Sequence, residues 1–263
     1  MIVSAPVHTG LELRSTRAET LAAGAPAARE PLLFAATLFR AQAALAKAIE
    51  PMALTGRFDD DVDRLLPLTE PLLRIVADRG PDLLVEQSLA RLDDDTTTAR
   101  SRLRLYWSGD VSAREDYLSR AILRPYAEVL RAQGATLDRL HRPRHCPFCG
   151  GAAMISTRRT PPDSESGIRL LHCALCALEW NINRICCPAC GEDDPYKLPI
   201  YTSEPHPAVR IEACETCRRY VKSIDLTQDA RPIAEVDDLL SLSMDLWAIE
   251  EGLVRIEPGL AGV

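Results

Sequence analysis

Nine cysteines, all between Cys146 and Cys217, are the residues of this 263-residue chain best suited to chemistry. Eight of them form four Cys-x-x-Cys pairs: Cys146 with Cys149, Cys173 with Cys176, Cys187 with Cys190, and Cys214 with Cys217. Two thiolates on one tight turn face a single ion, and two such turns complete a tetrahedral sulfur set suited to zinc or mononuclear iron. Gly150 and Gly191 follow the first and third pairs and permit the positive φ that such a turn requires.

The pairs are arranged as a duplication. CPFCG at 146–150 returns as CPACG at 187–191, an offset of 41 residues. The same offset carries Cys173 and Cys176 onto Cys214 and Cys217, Arg169 onto Arg210, and Leu170 onto Ile211. Each copy reads Cys-x2-Cys, 23 residues, Cys-x2-Cys, and the intervening stretch is long enough for a hairpin that holds the two turns apart. We favour one ion on Cys146, Cys149, Cys173 and Cys176 and a second on Cys187, Cys190, Cys214 and Cys217, with a crossed pairing as the alternative. An odd cysteine count in clustered pairs, without a secretory leader, argues for metal over disulfides. A thioredoxin-like redox role would need a βαβ setting, which is missing. Four sulfurs saturate an ion and leave no open position, so the default role is structural and no catalytic residue is assigned.

Cys186 is the cysteine left over; its counterpart 41 positions earlier is His145. The plain reading is a free, partly buried thiol, and the sharper one a reactive thiol activated beside the metal. His145, His172 and His206 lie near the cysteines in sequence, but the sulfur sets are complete without them. Trp180 reads as packing on a ribbon. Asp93, Asp94 and Asp95 read as a solvated turn and helix start, because the spaced ligands of a calcium loop are missing.

The elements that position these residues follow from periodicity and punctuation. Pro31 opens a helical stretch, LLFAATLFRAQAALAKAIE, that Pro51 and Gly56 close. DDVDRLLPL, EPLLRIVADRG, PDLLVEQSLARL, TTTARSRLRLYW and AREDYLSRAILRPYAEVLRAQG continue in helical style, giving a bundle of about five or six helices. In the last of these Leu118, Ile122, Tyr126 and Val129 share a stripe, and Pro125 is expected to bend or interrupt the helix. Beyond Gly134 the texture changes. TRRTPPDSESGIR reads as a polar loop, LPIYTS and VRIEAC as strands, and EVDDLLSLSMDLWAIEEG as a closing helix with Leu239, Leu242, Leu246 and Ile249 inward and Gly252 at its end.

The fold class is therefore α+β: an N-terminal helical bundle, two tandem rubredoxin-like or zinc-ribbon modules, and a C-terminal helix. Residues 1–29 read as a mobile arm rich in Ala, Gly and Pro, 30–142 as the helical domain, 143–185 and 186–226 as the two metal ribbons, and 227–263 as linker and helix.

Composition narrows the function classes. Apolar residues make up 46% of the chain, and there is no uninterrupted apolar run of about 18 residues to span a bilayer. With no secretory leader in view, the expectation is a cytoplasmic protein without membrane insertion. The net charge is −7, and all of the excess lies after Arg144, where 11 basic residues meet 18 acidic ones. Residues 146–226 hold 9 basic and 10 acidic residues, and each four-thiolate divalent site adds a formal charge of about −2. That balance argues against nucleic acid as a partner.

The segments CPFCG, RLLHCALCALEW, RICCPACG, EACETCRRYVKSIDL and DDLLSLSMDLWAIEEG, in that order, resemble the bacterial formate dehydrogenase accessory (formation) protein family. RAILRPYAEVLR resembles a helix of that family's N-terminal half, so the resemblance runs from about Phe34 onward. It implies a cytoplasmic maturation factor, not an enzyme, that binds the catalytic subunit of formate dehydrogenase before export. It also implies two metal ions, zinc or iron, on the eight paired cysteines; Cys186 departs from the family pattern. The competing readings are a zinc-ribbon nucleic-acid-binding protein and a thiol or sulfur-transfer factor using Cys186.

Overall fold

The computed structural model describes residues 5–139, 141–161 and 167–262. The chain forms two compact units, one of residues 1–24 and 32–140, the other of residues 25–31 and 141–263.

Among the described residues the first unit is built on seven α-helices, the second of which begins in residues assigned to the other unit: α1 (Val7–Gly24), α2 (Arg29–Ile49), α3 (Phe58–Leu65), α4 (Glu70–Arg79), α5 (Asp82–Leu92), α6 (Thr96–Trp107) and α7 (Tyr117–Ala132). The mobile arm expected over residues 1–29 is thus corrected: most of it is α1. Leu11, Ser15, Ala18 and Ala22 recur along one buried face, and Ser15 Oγ donates to the Ala36 carbonyl at 2.8 Å. Small residues carry little hydrophobic signal, yet they let helices approach closely, so periodicity alone does not reveal this stripe. Arg14 spans to both carboxylate oxygens of Glu128 at 2.9 Å.

Helix α2, with the turn before it, is long and apolar enough over Pro26–Ile49 to cross a membrane, but 61% of that stretch's apolar window is buried within the protein. It buries Leu32, Ala36, Phe39 and Ala46 in the core. Helix α7 is buried all round from Leu118 to Leu130, not along one stripe, and Pro125 lies inside it without interrupting it. Asp95 caps α6 by accepting from Thr98 N at 2.7 Å.

The second unit is built on one sheet of seven strands: β1 (Ala153–Arg159), β2 (Ile168–Cys173), β3 (Glu179–Asn181), β4 (Ile200–Thr202), β5 (Val209–Ala213), β6 (Arg219–Asp225) and β7 (Val254–Arg255). The order is β3-β2-β1-β6-β5-β4, with β7 on β6. The duplication is therefore visible in the sheet. Each copy contributes three antiparallel strands, and the copies join where β1 and β6 run parallel through Ser156–Ser223 and Thr157–Ile224. The polar loop expected over 157–169 is shorter than its composition implied, since β1 runs to Arg159 and β2 starts at Ile168; residues 162–166 lie outside the described ones.

The closing helix is broken into α8 (Ala234–Asp237), a 3-10 turn at Asp238–Ser241, and α9 (Leu242–Glu250). The tighter 3-10 winding shifts the phase of α9 relative to α8. Leu239 is still buried, but Leu246 and Ile249 point outward at 57% and 50% exposure, correcting the expected stripe. Met244 and Ala248 go inward instead and pack with Ile211, Ala213, Tyr220 and Leu253. Gly252, at φ 72°, ends the helix.

A charged cluster holds this C-terminal segment to the sheet. Lys222 of β6 is fully buried and reaches Asp238 at 2.9 Å and Asp245 at 2.5 Å. Arg255 pairs with the same two carboxylates at 2.9 and 3.2 Å, and Tyr220 donates to Asp245 at 2.8 Å. Two cations balance two anions in a buried setting, where an unmatched charge would be costly. Burial would raise the Asp238 carboxyl, but Arg255 and Lys222 hold it below the ordinary carboxylate range.

Candidate metal centres

Both copies build the first knuckle in the same way. Cys146 N donates to Gly151 O at 2.9 Å and Gly150 N to Cys146 O at 2.9 Å. In the second copy Cys187 N donates to Glu192 O at 2.8 Å and Gly191 N to Cys187 O at 2.9 Å. Gly150 and Gly191 have φ of 67° and 87°, the left-handed region that a Cβ disfavours. The second knuckle of each copy follows the strand β2 or β5. There the left-handed positions are Ala177 (φ 54°) and Arg218 (φ 55°), a strained choice that no glycine marked in the sequence.

The knuckles converge within each copy. Cys146, Cys149, Cys173 and Cys176 form one cluster and Cys187, Cys190, Cys214 and Cys217 the other, the sulfurs of each lying within 4.8 Å of one another. The crossed pairing is not what the chain adopts. Sulfur separations are 3.5 Å for Cys146–Cys176, 3.3 Å for Cys149–Cys173, 3.7 Å for Cys187–Cys217 and 3.6 Å for Cys190–Cys214. Bonded sulfurs would be about 2.05 Å apart, and none of the nine cysteines is joined in a disulfide. A tetrahedral ion with sulfurs at about 2.3 Å requires separations of about 3.8 Å; the second set lies close to that and the first is somewhat tighter, and both are donor sets suited to zinc or iron.

The protonation chemistry points the same way. Hydrogen bonds from Cys149, Cys173 and Cys176 pull the Cys146 thiol far below its ordinary range. Burial, then the neighbouring sulfurs, push Cys173 well up, and Cys146 and Cys149 do the same to Cys176. In the second cluster burial raises Cys214 and Cys217; at Cys190 burial is outweighed by the Glu192 N–H and the neighbouring sulfurs, and the thiol falls. Four sulfurs at this spacing cannot all ionise alone. A divalent cation at the centre removes the conflict, and when bound it supplies a cross-link between the two knuckles of each copy.

The remaining candidates lie outside the clusters. Cys186 is partly exposed, with its sulfur 3.7 Å from the Cys187 carbonyl. It lines a pocket of about 200 Å³ with Cys187, Arg169, Arg219 and Ile256. Arg169 donates to the Cys186 carbonyl at 2.8 Å and pairs with Glu212 at 2.5 Å. His172 meets Thr157 Oγ1 at 2.9 Å, His206 meets Ser243 Oγ at 3.2 Å, and His145 meets the Pro143 carbonyl at 3.1 Å; none belongs to a sulfur cluster. Trp180 sits on β3 opposite Leu171. Sequence reasoning missed Gly151 and Leu175, which lie against the first cluster, and their counterparts Glu192 and Thr216 beside the second, which hydrogen-bond each other. The 41-residue offset was the signal that could have found them.

Comparison with known proteins agrees with this architecture. The family description "FdhE, central domain" matches residues 145–184, and "FdhE, C-terminal domain" matches 185–260. The FdhE homolog of Aquifex aeolicus is 27% identical over 206 residues, 77% of this chain and 71% of that protein. That of Pseudomonas aeruginosa is 36% identical over 119 residues, 44% of this chain and 38% of that protein, and that of Pasteurella multocida 37% over 111 residues, 42% and 35%. In the last two cases the matched stretch spans less than half of the relative. The crystal structure of the FdhE protein from Pseudomonas aeruginosa superposes with a TM-score of 0.71 at 26% identity, covering 95% of this chain and 94% of that one.

Proposed function

We propose that this chain, whose residues 145–260 match the FdhE central and C-terminal domain descriptions and which shares the fold of an FdhE protein, is a formate dehydrogenase accessory protein that acts by binding. Its partner in this reading is the catalytic subunit of the enzyme, held in the cytoplasm before export. The observation that carries the reading is the pair of closed four-sulfur clusters inside family-matched domains. Ions held by four thiolates have no vacancy for substrate, so their role is to fix the ribbons as a rigid recognition surface. The acidic balance of residues 145–263 favours a protein partner over nucleic acid.

Affinity capture tests the proposal. Purified protein carrying both ions is expected to retain the catalytic subunit of formate dehydrogenase from the cytoplasmic fraction of cells making that enzyme, and to turn over no formate itself. Failure to retain the subunit, together with unchanged formate oxidation in cells lacking the gene, would defeat it.

A further inference from the structure

The two clusters are copies in sequence but differ in what covers them. In the first, all four cysteines are at most 1% exposed. A Cβ on Gly151 would stand 2.9 Å from Cys173 Sγ and 3.2 Å from Cys149 Sγ, with Leu175 Cβ at 3.5 Å. The Gly151 backbone therefore lies directly on the sulfurs. Ala174 and Leu175, 2% and 1% exposed, complete an apolar seal.

The offset of 41 replaces Gly151 by Glu192, Ala174 by Glu215 and Leu175 by Thr216. Thr216 is exposed and donates to Glu192 Oε2 at 2.5 Å. Lys197 Nζ lies 3.7 Å from the same oxygen, and Asp194 N donates to Glu192 Oε1 at 3.1 Å. At the positions that form the apolar seal of the first cluster, the second therefore carries a polar, partly exposed pair. In that second cluster Cys190 is exposed and Cys217 half-buried. The cluster is approached from another side as well, because Cys187 lines the same pocket of about 200 Å³ as Cys186.

Metal leaves a four-thiolate site when an incoming ligand attacks as one sulfur lets go, so the rate depends on whether that ligand can reach the site in the folded state. A sealed cluster must first open locally; an exposed one need not. We propose that the second cluster is an exchangeable site for a thiophilic divalent ion, loaded and unloaded through the Cys190–Glu192–Thr216 face, while the first is a locked structural site. This rests on the reading that both clusters hold metal, and the test separates the two ideas.

Reduced protein loaded with zinc is first assayed for metal, two ions per chain being expected. It is then mixed under native conditions with an excess of a colorimetric zinc chelator. One ion should leave at least about tenfold faster than the other. Cys190→Ser should abolish the fast phase and keep the slow one. The triple substitution Glu192→Gly, Glu215→Ala and Thr216→Leu, which copies the first seal onto the second cluster, should slow the fast phase at least about threefold while both ions and the circular dichroism spectrum are retained. Release of both ions at one rate, a fast phase that survives Cys190→Ser, or a seal-copying variant that releases at the original rate would each overturn the proposal. Fewer than two ions at the outset would remove the premise and the proposal together.

Discussion

Gln42 Nε2 donates at 2.8 Å to the carbonyl of Ala121, the carbonyl that Pro125, four residues on, deprives of its helical N–H donor. A proline inside a helix removes one backbone hydrogen bond and crowds the carbonyl at i−4. The buried side chain on α2 supplies the missing donor and lets α7 continue to Ala132. Gln42→Leu is expected to destabilise the protein by about 1–3 kcal/mol through the stranded carbonyl, read as a lowered urea midpoint with unchanged slope. Adding Pro125→Ala to Gln42→Leu should recover much of the loss, because the helix then repairs its own bond; no recovery would show that Gln42 acts by packing alone.

That contact shows where the sequence stops being legible. Proline at 125 signals a break, and only the tertiary partner reveals that the break is mended. The four cysteine pairs could be read because metal ligation fixes residue type and spacing locally, and the helix boundaries because caps and prolines are local as well. Helix α1 could not, since its buried face is Leu11 with Ser15, Ala18 and Ala22, residues whose value lies in close approach. The inward face of α9 could not either, because a 3-10 turn at 238–241 resets the phase. Nor does alternation predict a lysine that is completely buried.

That lysine, Lys222, is matched against Asp238 and Asp245, which Arg255 also pairs. Lys222→Met would leave two buried carboxylates facing one guanidinium, at an expected cost of about 3–5 kcal/mol. Lys222→Met combined with Asp245→Leu restores charge balance and should cost clearly less than the two single changes added together. Chemical denaturation of the metal-loaded protein reads both, and strict additivity would sink the account of a coupled cluster.

Metal content is the most direct check on the sites. X-ray absorption should return four sulfur neighbours per ion at about 2.3 Å, with two ions per chain. Cys149→Ser should lose the first ion and make the first ribbon protease-sensitive, because the ion cross-links its two knuckles. Full metal and ordinary protease resistance in that variant would mean the ligand assignment is wrong.

Cys186 sits outside both sulfur sets, its thiol directed at the Cys187 carbonyl rather than at a cluster. Cys186→Ala is expected to keep two ions, the thermal midpoint to within about 1 kcal/mol equivalent, and full support of formate dehydrogenase activity in cells. Loss of that support with both ions retained would instead favour thiol or sulfur transfer through this residue.

The functional reading makes its sharpest demand on the ribbons. If the two clusters exist to hold a recognition surface, capture of the catalytic subunit must depend on metal even when the helices remain intact. The chain forms two compact units and all eight paired cysteines lie in the second, so stripping the ions should soften its sheet while the far-ultraviolet helical signal of α1–α7 is largely kept. Under those conditions capture should fall at least about tenfold and return when zinc is restored to the reduced protein. A general unfolding would not be reversed by metal alone, so recovery on reloading separates a lost surface from a lost fold. Capture that persists in metal-free protein would move the binding site to the helical unit and leave the clusters as supports for the sheet alone.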